Sequence, residues 1–305
     1  MNRYRVRAYL ELLLVSAIWG IAGVVIKYTL GGFDPLIFLT YRFAISTVLG
    51  MGLFAFYGVK IPQNPKILAI TLFYGFLTST VALGLLFLGF DKTTAIDATL
   101  ISASGPIFVA AAGAIFLKEH VTSREKIGIT IAFLGTAITI LEPILKNHDG
   151  FAGFEGNLLV FGSLLIGVVT AVLAKVLLRH EVSPVSAANL SFIVGFFTIL
   201  PFSLVFHGTS QIISQIARAS ISFHVGVLFM ALISGNLAYT LWHKAQKTIE
   251  VGEVGLFSYL YPIFATPLAI IWLKEKITLP FIVGAAIITI GVVIAEYKKK
   301  KYNTG

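Results

Sequence analysis

The sequence predicts an all-α membrane protein of ten transmembrane helices, arranged as two inverted five-helix repeats. Three observations carry that expectation. Hydrophobic residues make up 57% of the chain and charged residues only 12%, against roughly 45–50% and about 25% in a soluble domain, so there is too little polar surface to face water all round. Apolar runs recur along the whole length. Residues 100–138 and 256–294 superpose without a gap at an offset of 156, with 14 identities in 39 positions.

The runs fall near residues 8–30, 34–57, 66–90, 93–116, 125–143, 155–178, 184–206, 219–242, 249–272 and 277–296. Most reach the roughly 20 residues that a helix needs to cross about 30 Å of hydrocarbon. Buried core helices of a soluble protein are the alternative, but ten of this length in 305 residues leave nothing for a solvated shell. The first run is too long for a signal-peptide core and lacks a small-residue cleavage site, so it reads as a retained helix. The chain has no cysteine, which excludes a disulfide scaffold and thiolate metal sites, and no cofactor is expected. Asn189-Leu190-Ser191 has the form of a glycosylation sequon, but it lies within a run and is discounted.

A formal net charge of +9 would suggest nucleic acid in a soluble protein. Its placement argues for lipid instead. With the N-terminus in the cytosol, the inner segments carry Arg3, Arg5, Arg7, Lys60, Lys66, Lys118, Arg124, Lys126, Arg179, Lys244, Lys247 and Lys298 to Lys301, which is 15 of 23 basic residues, and the outer segments carry five. This bias predicts a multi-pass protein of the cell membrane (plasma or inner membrane) with both termini cytoplasmic, and the terminal lysine run reads as a tail beside anionic lipid.

The matched segments align Pro106-Ile107-Phe108 with Pro262-Ile263-Phe264, Leu117-Lys118-Glu119 with Leu273-Lys274-Glu275, and Gly128 and Gly135 with Gly284 and Gly291. The first two helices agree more weakly, with Lys27 opposite Lys175 at an offset of 148 and Pro35 opposite Pro184 at 149. The division expected is a repeat over 1–146 and a second over 147–305. Five helices per repeat is an odd number, so the second copy enters the membrane from the opposite side, and such inverted repeats commonly open a shared central site to one side and then the other.

Trp19-Gly20 with Lys27 in helix one, Arg42 in helix two, and the Pro-Ile-Phe, Leu-Lys-Glu, Gly, Gly pattern in each half resemble the EamA family of the drug/metabolite transporter superfamily. The resemblance covers essentially the whole chain. It implies a ten-helix carrier, usually an exporter of amino acids or other small metabolites. In one respect the second half departs from the pattern: position 167, opposite Trp19, is glycine.

Pro106 and Pro262 fall near mid-membrane, where a proline bends a helix and clashes with the carbonyl four residues earlier. In both copies that residue is serine, Ser102 and Ser258. Their carbonyls are expected to be left free at mid-depth, where a free carbonyl is tolerated only against protein, water or ligand. Two readings stand side by side: a kink healed by the serine hydroxyl or a neighbouring helix, or hinges at Pro106 and Pro262 whose Ser102, Ser104 and Ser258 line a substrate cavity. Trp19, Tyr259 and Tyr261 are candidates for the walls of an amphipathic pocket, with Asn236 adding an amide. Tyr74 and Trp242 read as interface anchors. An aromatic site with few charges suits neutral or zwitterionic solutes, including amino acids with apolar side chains.

Charges at mid-bilayer cost about 2.5–3.5 kcal/mol on insertion scales, so each needs a partner or water. Lys27 or Arg42 with Asp97 is a candidate outer gate, and Lys175 with Glu253 a candidate inner gate; static pairs or snorkelling to headgroups are the alternative. Proton coupling stays open, because Glu11, Glu142 and His243 all fall near helix ends. No GxxxxGK[ST], GxGxxG, HExxH or GxSxG motif is present, and neither a Ser-His couple nor an Asp pair is evident at depth. The function expected is therefore a membrane carrier exporting amino acids or similar metabolites by alternating access. A small-molecule solute and membrane lipids are its partners, without nucleic acid. A proton-coupled exporter of lipophilic cations is the alternative, and an intramembrane enzyme or a scaffold represents a different class.

Overall fold

A computed structural model describes residues 3–56, 61–109, 123–146, 151–249 and 254–296. The described residues form ten helical stretches and no strand. They are α1 (Arg3–Thr29), α2 (Pro35–Phe56), α3 (Pro65–Lys92) and α4 (Ala95–Val109), α5 (Ser123–Lys146), α6 (Phe151–Arg179), α7 (Pro184–Arg218), α8 (Ile221–Thr248) and α9 (Leu256–Leu273), and α10 (Leu279–Glu296). Seven of these are long and apolar enough to cross a membrane, and α4 and α10 contain shorter apolar helices. Large apolar side chains such as Phe56, Val205, Phe206 and Ile271 stand exposed on the outside, the arrangement expected of a bundle whose solvent is hydrocarbon.

The starts of these helices follow from short-range chemistry. Pro65 and Pro184 open α3 and α7 in the first turn, where a missing amide hydrogen costs nothing. Asn64, Thr94 and Ser183 cap α3, α4 and α7 by accepting from Lys66, Asp97 and Ser186 amides. Asp34 does the same for α2, accepting from the Leu36 amide at 2.9 Å. Gly208, at φ 68°, divides α7 into a long membrane segment and a short outer one, a backbone state that glycine reaches without steric cost.

Helix packing brings matched elements of the two halves together. α5 lies on α10 through the paired glycines: a Cβ on Gly135 would stand 2.9 Å from the Gly284 carbonyl, and one on Gly291 would stand 2.7 Å from the Gly128 carbonyl. Residue numbers rise along one helix as they fall along the other, so the two run antiparallel. α2 and α7 behave alike, with Gly50 against Asn189 and Gly195 against Phe43. α4 packs on α9, α1 on α8 and α9, and α6 on α3 and α4.

Four of the helices that line the centre are irregular. α4 breaks at Ser104, just before Pro106, and α9 begins as a 3-10 turn over Leu256–Leu260 that leads into Pro262. The tighter turn uses the carbonyls that the prolines were expected to free: the Tyr261 amide donates to Ser258 O, and the Ser104 amide to Ile101 O and Ser102 O. The serine hydroxyls also bond within their own helices, Ser102 to Ala98 O and Ser258 to Gly255 O. The kink is therefore healed by backbone rearrangement, which corrects the expectation of free carbonyls. α3 and α8 each contain a π-helical stretch, Phe76–Ala82 and Phe229–Leu237. Carbonyls within these wide turns accept from other helices: Ala82 O from Ser163, Ala231 O from Ser46, and Ser234 O from the Trp19 indole.

Candidate functional site

A cavity of about 280 Å³ lies where α1, α3, α4, α6, α8 and α9 meet, with Arg42 of α2 reaching its wall. Its size falls just below the roughly 300–1,000 Å³ of drug-sized pockets. Of the residues singled out in the sequence, Trp19, Ser102, Ser258, Tyr261, Arg42 and Pro106 line it. Ser104, Asn236, Tyr259 and Pro262 are not among the lining residues. Ser104 is buried with its hydroxyl on Ile101 O, and Asn236 donates to Asn189 Oδ1 at 2.6 Å, tying α8 to α7.

Trp19 is the centre of an aromatic group. Its indole N–H reaches Ser234 O at 3.0 Å, and its ring lies 5.1 Å from Tyr239, 5.0 Å from Trp242 and 6.2 Å from Tyr261. The adjacent Gly20 makes this possible, because a Cβ there would stand 2.8 Å from Tyr261 O and from Phe264 Cβ. The bare backbone lets α1 close onto α9 and carries the tryptophan into the cavity. Opposite, Gly167 lines the same cavity and a Cβ there would meet nothing within 4 Å. The departure from the repeat pattern is thus where the free space is.

Tyr74 and Trp242, read as interface anchors, both line the cavity, and so does His243, read as lying at a helix end. Tyr74 and His243 are almost wholly buried and bond to one another at 3.0 Å through Nε2. His243 Nδ1 lies 3.2 Å from Gln246 Oε1. A carboxamide oxygen only accepts, so Nδ1 carries the hydrogen. The two contacts hold the imidazole in one orientation.

Two of the predicted gate residues cap helix ends. Lys27 donates to Phe90 O at 2.8 Å and Asp91 O at 3.0 Å, at the end of α3. Lys175 donates to Gln246 O and to Ile249 O, at the end of α8. The two lysines correspond in the repeat, and each neutralises the partial negative charge of the last carbonyls of a corresponding helix. Glu253 lies outside the described residues, as do Lys118 and Glu119. Asp97 is buried in the first turn of α4. At that turn the carboxylate of Glu275 accepts from the Ala95 amide at 2.8 Å and the Ile96 amide at 3.0 Å. This pins the end of α9 to the start of α4, a contact that sequence reasoning missed although Glu275 belongs to a repeated motif. Replacing Glu275 by Ala removes both bonds and the favourable charge at a helix N-terminus, worth about 1–2 kcal/mol. The melting temperature of the purified protein is expected to fall by about 2–4 °C; an unchanged value would show that the two helix ends are held by something else.

Arg42 is the largest fully buried side chain, 1% exposed. Its guanidinium carbon sits 5.5 Å from the ring centre of Phe43, 5.4 Å from Phe87 and 5.8 Å from Phe192. Nε and Nη1 have no hydrogen-bond partner, and no ion pair to Arg42 occurs among the described residues. Burying such an ion costs several kcal/mol even after relaxation. Three ring faces return up to about 2 kcal/mol each when desolvated. The two are of similar size, so the cage tolerates the charge but leaves its donors unused.

A helical membrane protein with an aromatic-walled cavity at the meeting of its two halves is the class that fold and site define. A model of the EamA-like transporter family matches residues 6–141 and again residues 154–297, and the chain belongs to that family, as the resemblance in its sequence implied. It is 25% identical over 299 residues, 97% of this chain and 96% of the relative, to the uncharacterized transporter YyaM of Bacillus subtilis. It is also similar to a probable amino-acid metabolite efflux pump of Salmonella typhimurium (27% over 290 residues, 92% of both chains) and to one of Escherichia coli (25% over 290 residues, 92% of both). A crystal structure aligns with all of this chain and 99% of the other at a TM-score of 0.67 and 16% identity, a likeness of fold.

Proposed function

We propose that the protein is an alternating-access carrier that exports amino acids or similar small metabolites through the central cavity. The observation that carries this reading is the cavity itself: it is built from both halves, walled by aromatic residues, and contains scattered hydroxyls and no acidic residue among the described residues that line it. The reading is supported by the efflux pumps among its relatives. Two inverted repeats are supported by the antiparallel pairs α5/α10 and α2/α7, by the corresponding π-helical stretches in α3 and α8, and by the corresponding lysine caps at their ends. The excess of Lys and Arg at the end of the bundle with the termini puts that end in the cytosol of a cell membrane. Purified protein in liposomes should exchange labelled leucine or phenylalanine for unlabelled amino acid with saturation; formation of a product instead would make it an enzyme, and neither would leave a scaffold.

Proton coupling is favoured by one observation, the titratable imidazole of His243 in the cavity wall between Tyr74 and Gln246. If it holds, an imposed pH gradient drives net uptake of amino acid into the vesicles, whereas a uniporter responds to the solute gradient alone.

A further inference from the structure

We infer that Arg42 is the recognition residue for a carboxylate on the transported solute, rather than half of a gate. This rests on the carrier reading above and adds the chemical class of what the cavity holds. Arg42 lines the cavity, is buried to 1% exposure, and keeps Nε and Nη1 without a hydrogen-bond partner. Its third nitrogen, Nη2, passes over Gly235, where an added Cβ would stand 3.4 Å away. A side chain at that position would crowd the guanidinium.

The rings around Arg42 stabilise its charge without saturating its donors. A guanidinium fork with free N–H groups is matched by a planar two-oxygen anion, which it can bind through two parallel hydrogen bonds. The charge balance of the wall points the same way. Among the described residues that line the cavity Arg42 is the sole Lys, Arg, Asp or Glu, so one negative charge on the solute balances it and a cationic solute meets repulsion with no compensating carboxylate among them. A doubly charged phosphate would need a second cation, and no Lys or Arg other than Arg42 is among the described lining residues. Phe192 links this anchor to the aromatic group, since its ring stands over Arg42 and lies 5.3 Å from Tyr239, which in turn lies 5.1 Å from Trp19. A solute held by its carboxylate at Arg42 therefore presents the rest of its body to Tyr239 and Trp19. Those faces suit an ammonium group or an apolar side chain.

The test is a binding comparison on the full chain in detergent, read as thermal stabilisation, with leucine, 4-methylpentanoate, leucinol, isopentylamine and inorganic phosphate as probes. Leucine and 4-methylpentanoate should bind wild type at least tenfold more tightly than leucinol and isopentylamine, and Arg42→Gln should abolish that preference, weakening the two carboxylates while relieving the repulsion of the two amines. Removing an unpaired buried charge leaves no partner stranded, so the variant is expected to fold; Arg42→Lys, which keeps the charge and loses the fork, should fall between the two. The inference is overturned if leucinol matches leucine on wild type, if no carboxylate binds, if phosphate binds as well as 4-methylpentanoate, or if Arg42→Gln or Arg42→Lys retains the full preference. Carboxylate binding with no counterflow for any amino acid would remove the carrier reading and keep the anchor; counterflow without a carboxylate preference would do the reverse.

Discussion

Replacing Gly167 by Trp is expected to cut amino-acid exchange at least tenfold while leaving the fold intact. Gly167 lines the cavity, and nothing lies within 4 Å of the position its Cβ would take. The indole would enter space from the α6 side that Trp19 already limits from the α1 side, and a cavity of about 280 Å³ has no room for a second indole and a solute together. Stability should not suffer. Glycine inside a helix is disfavoured by about 1 kcal/mol relative to alanine, so a larger residue without a clash tends to stabilise α6. Counterflow and melting temperature, measured on the same preparation, separate the two effects. Full exchange in the variant would mean that solute does not pass this point, and loss of folded protein would mean that the space is not open.

The same kind of substitution at Gly291 should have the opposite outcome. A Cβ there would stand 2.6 Å from the Ala132 amide nitrogen and 2.7 Å from Gly128 O, both backbone atoms of α5. Backbone cannot rotate aside as a side chain can, so Gly291→Leu must separate α5 from α10. Overpacking of this kind costs typically 1–3 kcal/mol, and the melting temperature should fall by roughly 2–6 °C. Gly135→Leu, which meets Gly284 O and the Ile288 amide in the corresponding place, should give a similar loss. A neutral result at both positions would contradict the close antiparallel pairing of these helices.

These two glycines show what sequence can and cannot reveal. The spacing of Gly128 and Gly135 in one half and Gly284 and Gly291 in the other is two helical turns, which places each pair on one helix face, and the structure uses both pairs to bring α5 and α10 together. The helices themselves were legible because hydrocarbon demands long apolar runs. The cavity wall was less so. Trp242 and His243 follow the π-helical stretch of α8, and an extra residue in a turn rotates everything after it relative to a regular 3.6-residue period. Tyr74 lies just before the corresponding stretch of α3, and its partner across the cavity is His243. Sequence reasoning placed these residues by their nearness to span ends, which does not say whether a ring faces headgroups or a cavity. The contacts of Lys27 and Arg42 were hidden for another reason. Sequence reasoning sought a carboxylate for each cation, whereas helix-end carbonyls satisfy Lys27 and three phenyl rings surround Arg42. Neither kind of partner leaves a trace in charge patterning.

The most direct measurement is the sidedness of one cavity thiol. The chain has no cysteine, so Ser102→Cys, on the cavity wall beside Pro106, would carry the sole thiol of the molecule. Alternating access through this cavity predicts that a membrane-impermeant thiol reagent labels it from either face of sealed vesicles, and that transported amino acid slows labelling from both. Labelling confined to one face under every gradient and ligand, or untouched by the solute, would contradict a cavity that opens to each side in turn.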